Sequence, residues 1–105
     1  MREVWITDVK EDMNTAAPLD YSLQQNYPNP FNPTTEIKFS IAQPGLVSLR
    51  VYDILGREVA TLVNQELNTG NFSVNFNAAG LASGTYIYRM TAGDVQISKK
   101  MLILK

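Results

Sequence analysis

Residues 25–33, QNYPNPFNP, hold three prolines and three asparagines in nine positions. Each proline fixes its own φ and steers the residue before it away from helix, so Tyr27, Asn29 and Asn32 are driven toward extended or polyproline conformations. The segment is a stiff elbow. Tyr27 and Phe31 flank Pro28, Asn29 and Pro30, and their bulk suits them to fold down as anchors over one end of a domain. Asn26, Asn29 and Asn32 then satisfy backbone groups of the loop. A rigid loop is also a good recognition element, so Asn26, Tyr27, Pro28, Asn29, Pro30, Phe31, Asn32 and Pro33 form the first candidate site.

Beyond the elbow the apolar residues recur with period two, the spacing of half-buried strands. Ile37, Phe39 and Ile41 lie on one face; Val47, Leu49 and Val51 follow after the turn at Gln43, Pro44 and Gly45. Ile54, Leu55 and Gly56 make a tight connection, with Gly56 supplying a positive φ. Val59 and Leu62 mark a third strand, and residues 65–70 a looser polar connection ending at Gly70. Phe72, Val74 and Phe76 alternate next, then Tyr86, Tyr88 and Met90, separated by a segment with Leu81 as a plug and Gly84 at its end. Gly93 sits in a hairpin signal, so Gly56, Gly70, Gly84 and Gly93 are the expected structural turns. The apolar parity shifts near Lys99 and Lys100, which predicts a β-bulge. Met101, Leu102, Ile103 and Leu104 in succession imply burial on both sides. About seven short strands without helical period predict an all-β, antiparallel two-sheet sandwich.

A chain of 105 residues with 45% hydrophobic and 18% charged residues is a single globular domain with little to spare. Residues 1–20 differ in character: Val4, Ile6 and Val9 around Trp5 read as the frayed end of a preceding domain, with an added edge strand as the alternative, and a polar, aperiodic linker follows. The division is therefore 1–20, linker or end of a preceding domain, and 21–105, the sandwich. The start lacks the form of a secretory signal peptide, so the chain reads as a fragment fused to an unknown upstream parent that carries any export signal. No apolar run approaches the roughly 20 residues of a membrane-spanning helix. A net charge of −1 gives no basic footprint for nucleic acid.

The chain has neither cysteine nor histidine. Disulfides and thiolate chemistry are excluded, and the commonest general base and metal ligand are missing, so no enzyme and no cofactor are expected. Ser22, Ser40, Ser48, Ser73, Ser83 and Ser98 have only a lysine to activate them, and each has a simpler place on a strand or turn. Asp53, Glu58, Glu66 and Asp94 offer oxygen ligands for calcium but lack EF-hand spacing; Asp53 and Asp94 suit turns. Tyr52, Tyr86 and Tyr88 would make a carbohydrate platform only if two were exposed and coplanar, and their strand positions favour core packing. Lys99, Lys100 and Lys105 bracket the final apolar strand, where charges guard against pairing with other chains.

The elbow, Thr35 to Ile41, the run Val51 to Val59 with Leu55-Gly56-Arg57, the run Ala82 to Tyr86 and the closing Lys99 to Lys105 occur in the order and spacing of a known family. The chain resembles the type A carboxy-terminal sorting domain of bacterial type IX secretion cargo, over roughly residues 21–105. The resemblance implies an immunoglobulin-like β-sandwich that marks its parent for transport across the outer membrane. It implies partners in the outer-membrane secretion machinery, passage through the periplasm, and a destination at the cell surface or outside the cell. In the family a surface sortase-like peptidase frequently removes the domain; the polar linker at residues 15–21 is where such a cut would fall. The end of the domain is expected to contribute most to recognition, so Lys100, Met101, Leu102, Ile103, Leu104 and Lys105 form the second candidate site. Such a strand could pair with a receptor edge by β-augmentation, and an apolar end with an added amino-terminal strand would suit a strand-exchanged dimer. The rival readings are a carbohydrate-binding or adhesion sandwich and a structural spacer.

Overall fold

The computed structural model describes residues 10–11 and 20–105. The segment around Trp5 and most of the expected linker, residues 12–19, lie outside the described residues. In chain order the strands are β1 (Lys10–Glu11), β2 (Ser22–Leu23), β3 (Thr34–Ile41), β4 (Gly45–Tyr52), β5 (Glu58–Leu67), β6 (Gly70–Asn77), β7 (Gly84–Ala92) and β8 (Val95–Ile103). They form two four-stranded sheets, ordered β1-β6-β3-β2 and β5-β4-β7-β8, with every named pair antiparallel. Lettered as A, B and E in one sheet and C′, C, F and G in the other, β2 to β8 follow the immunoglobulin-like order, and β1 takes the place beside E that strand D occupies. The sandwich expected from period two is the observed fold.

The alternation has its physical cause in the space between the sheets. Ile37, Phe39 and Ile41 of β3 and Phe72, Val74 and Phe76 of β6 face Val47, Leu49 and Val51 of β4 and Tyr88 and Met90 of β7, all buried. Phe39 and Phe72 are register partners whose rings stack at 5.6 Å. Side chains of this size contribute about 1.5–3 kcal/mol each on burial, which drives the two sheets together.

Three sequence expectations need correction. Gly70 lies in β6 opposite Ile41 rather than in a turn, because β5 continues to Leu67 and only Asn68 and Thr69 cross between the sheets. The pairing of β7 with β8 runs without interruption from Gly84 opposite Ile103 to Ala92 opposite Val95, so no bulge interrupts Lys99 and Lys100. The irregularities lie instead between β4 and β5, where the register slips at Leu49/Arg50 and Val51/Tyr52. The first slip leaves Leu62 unpaired beside Val63, and both side chains are buried. The apolar tail is also not buried on both faces: Met101 and Ile103 point inward, Leu102 is half-buried and Leu104 is 53% exposed. It therefore offers no two-sided apolar strand for exchange.

Candidate functional site

The elbow leads into the start of β3, and a short loop joins the end of β6 to the start of β7 at the same end of the sandwich. The final residues of β8 lie there too, since Ile103 pairs with Gly84. This topology brings both candidate sites to one pole, and the elbow lies along the outer edge of β8.

Phe31 fixes the junction. Its ring is 3% exposed and tilts against Phe76 at 6.1 Å, while its backbone makes a parallel bridge to Ile103. The Phe31 N–H donates to the Leu102 carbonyl at 3.1 Å, and the Leu104 N–H donates to the Phe31 carbonyl at 3.1 Å. Asn29 adds a side-chain contact, accepting from the Leu102 N–H at 2.9 Å through Oδ1. Gln25 donates from Nε2 to the Lys100 carbonyl at 2.6 Å.

A buried polar cluster holds the base of the elbow. Asn26 is only 2% exposed; its Nδ2 donates to the Pro28 carbonyl at 3.2 Å and to Thr35 Oγ1 at 3.0 Å, and Thr35 Oγ1 donates to the same carbonyl at 2.8 Å. The Tyr88 hydroxyl reaches across from β7, accepting the Asn26 N–H at 2.8 Å and donating to the Gln24 carbonyl at 2.8 Å. Burial pushes the Tyr88 phenol up to about 12, a shift that the Asn26 N–H opposes. No buried side-chain polar atom is left unpaired among the described residues. The Tyr27-Pro28, Asn29-Pro30 and Asn32-Pro33 bonds are all cis.

The two aromatic anchors thus behave differently. Phe31 packs into the core, whereas Tyr27 is 81% exposed, held by backbone bonds to Glu36 in both directions at 2.9 Å. Its backbone is the anchor and its ring is free. Pro28, Asn29, Pro30, Asn32 and Pro33 lie exposed around it. At the other candidate site Lys100 is exposed, while Lys105 turns back, donating from Nζ to the Ala79 carbonyl at 2.7 Å and from its N–H to Ser83 Oγ at 3.0 Å.

The remaining candidates have structural surroundings. Tyr86 and Tyr88 are buried and Tyr52 is half-buried under Arg89, whose guanidinium lies 5.2 Å from the ring centroid, so no coplanar exposed platform forms. The Tyr86 hydroxyl donates to the Ala82 carbonyl at 2.9 Å, the tyrosine corner of immunoglobulin-like sandwiches. Asp53 Oδ1 accepts the Leu55 and Arg57 N–H groups at 2.9 Å each, and Oδ2 accepts Arg57 Nε at 2.8 Å. The Arg57 N–H, then the Arg57 side chain and the Leu55 N–H, hold the Asp53 carboxyl below its ordinary 3.8 against the effect of desolvation. Gly56 closes that turn at φ 85°, and Gly93 and Gly84 also have positive φ, 58° and 149°. Ser22 and Ser40 bond each other at 2.6 Å, and Ser98 accepts from Arg89 at 3.1 Å. No cluster of three or more metal-ligating side chains occurs among the described residues.

Gln25, Thr35 and Tyr88 are the members of this junction that pattern reading overlooks. Gln25 alone carried a signal, as the long amide that opens the proline-asparagine run.

An immunoglobulin-like sandwich with an asparagine-proline elbow clasped to its last strand is the class of domain defined here. The chain belongs to the family of secretion system C-terminal sorting domains, whose family model matches residues 25–104. It carries a C-terminal sorting signal for type IX secretion, which implies interaction with the type IX machinery and export toward the cell surface or extracellular space. No curated protein matches the chain.

Proposed function

We propose that residues 21–105 act as a non-catalytic sorting module whose recognition surface is the pole formed by the elbow and the last residues of β8. The observation that carries this reading is the parallel bridge between Phe31 and Ile103. It joins the two sequence segments singled out as candidate signals, which are otherwise separated by most of the domain. Around the bridge, Tyr27, Pro30, Asn32 and Lys100 are exposed and held by a rigid base, the combination a recognition surface needs. The machinery meets this folded domain in the periplasm and carries the attached protein across the outer membrane. A surface peptidase then separates the two in the linker at residues 15–21.

The test is a secretion assay with the full 105-residue chain fused behind a signal-peptide-bearing fluorescent reporter. The expected result is reporter at the surface or in the medium of a type IX-competent bacterium and in the periplasm of a strain lacking that system. Charge reversal at Lys100 together with Tyr27→Ala is expected to strand the reporter in the periplasm while the domain stays folded. Export of that variant at the normal level would remove this pole as the recognition surface.

A further inference from the structure

β8 is the last strand of its sheet, so one side of its backbone faces away from β7. An exposed row of N–H and C=O groups of this kind is a template for another strand. In this domain the template is already occupied near its end. The Lys100 carbonyl is taken by Gln25 Nε2, the Leu102 N–H by Asn29 Oδ1, the Leu102 carbonyl by the Phe31 N–H, and the Leu104 N–H by the Phe31 carbonyl. These are successive outward-facing groups along the strand. Two are satisfied by main chain and two by amide side chains that imitate main chain.

We propose that the elbow is a built-in edge strand for β8, and that the secretion machinery reads the docked pair through its side chains and not by main-chain pairing with a released tail. This inference rests on the proposal that the elbow and the end of β8 are the recognition surface. Release would break the edge bonds and withdraw Phe31 from the core, where it is 3% exposed. A pairing partner would have to replace all of these contacts before gaining any of its own.

The surface left for a partner is made of side chains. It comprises the Lys100 ammonium, the half-exposed Leu104, and the exposed rings of Pro30 and Pro33 beside Asn32. Such a surface fits a folded protein partner that sets a carboxylate opposite Lys100 and an aromatic or aliphatic shelf under the proline rings.

Two opposite perturbations of the fusion described above test this. Asn32 and Leu104 each follow the bridged pair Phe31 and Ile103 along the parallel segments. Adjacent strands lie about 4.8 Å apart, within the roughly 4.4–6.8 Å Cα separation of a disulfide. The chain has no cysteine of its own, so N32C/L104C forms a single cross-link that locks the elbow on β8. Because Asn32 and Leu104 belong to the surface itself, the oxidised and reduced forms of this one variant are compared, and the expected result is equal export of the two. Q25A/N29A removes the two amide caps and is expected to lose export while keeping the native fold by circular dichroism.

Retention of the locked, oxidised fusion, with its reduced form exported, would overturn the inference by showing that the strand must be freed. Normal export of Q25A/N29A would overturn it equally, and this arm does not depend on the cross-link forming. Failure of the unaltered fusion to leave the periplasm of the competent strain would instead count against the sorting module on which the inference rests.

Discussion

Tyr88→Phe keeps the ring in the core and removes one oxygen atom, which isolates the contribution of the hydroxyl to holding the elbow's base. That oxygen makes two hydrogen bonds, one accepted from the Asn26 N–H and one donated to the Gln24 carbonyl, each 2.8 Å. A hydrogen bond contributes about 1 kcal/mol net, and a buried donor left without a partner costs about 1–3 kcal/mol. Asn26 is 2% exposed, so water has little access to its stranded N–H, whereas Gln24 is exposed and its carbonyl can be hydrated. The expected loss is therefore about 2–3 kcal/mol, roughly 10–20 °C in Tm for a domain of this size. Urea denaturation at neutral pH measures it, and Tyr86→Phe is the control. That change removes one bond, to the Ala82 carbonyl, and costs about 1 kcal/mol. The same residue gives a pH signature. Unfolded Tyr88 loses its proton near 10.0 and folded Tyr88 near about 12, so between these values the unfolded chain binds fewer protons. Its contribution to stability is whole below pH 10.0, falls as pH rises through that window, and is absent from the phenylalanine variant. A variant as stable as the wild type, with the same alkaline profile, would refute the role given to the hydroxyl.

Phe31→Ala removes a buried ring at the junction and is expected to cost about 3–5 kcal/mol. In hydrogen exchange the Leu102 and Leu104 amides should lose protection together. Gly56→Ala meets no atom within 4 Å but must adopt a φ of 85°, so a loss of about 1–2 kcal/mol from backbone strain alone is expected in thermal unfolding. Asp53 should titrate below 3.8 when followed by NMR, since backbone N–H groups and Arg57 favour its charged form. Its contribution is therefore present above pH 3.8 and lost as pH falls through the lower folded value, and Arg57→Ala should move that titration upward.

The sandwich was legible because each strand crosses between solvent and a single buried layer, a requirement that prints itself on the sequence as alternation. The stiffness of the elbow was legible for a similarly local reason, the geometry of proline. Its destination was not. Asn29 meets Leu102 across 73 residues and Gln25 meets Lys100 across 75, and no local spacing encodes where a side-chain amide will find a backbone partner. The expected bulge at Lys99 and Lys100 failed because Leu102 and Leu104 are apolar on the outer parity. They lie beside the elbow, which covers Leu102 in part without any change of register. The bulge that does occur leaves two adjacent apolar residues, Leu62 and Val63, both inside, a pattern that a strict period of two treats as noise. Tyr27 and Phe31 look alike in sequence, and only the tertiary contact with Phe76 separates the buried ring from the exposed one.

Stability and recognition separate at this pole, and that separation gives the sharpest expectation. A domain of this size is stable by about 5–15 kcal/mol, so a loss of about 2–3 kcal/mol at Tyr88 still leaves more than about 95% of the molecules folded. Tyr88 is fully buried, and removing its oxygen leaves every bond between the elbow and β8 in place. Asn29→Ala removes a single bond at the exposed edge of β8, the one donated by the Leu102 N–H, worth about 0.5–1.5 kcal/mol, yet it loosens the surface that a partner would meet. Tyr88→Phe should therefore be the less stable variant and the better exported one. Stability by urea denaturation and export of the same fusions, measured side by side, should rank the two variants in opposite orders. If export instead followed stability, the geometry of the elbow on its strand would not be what the machinery reads.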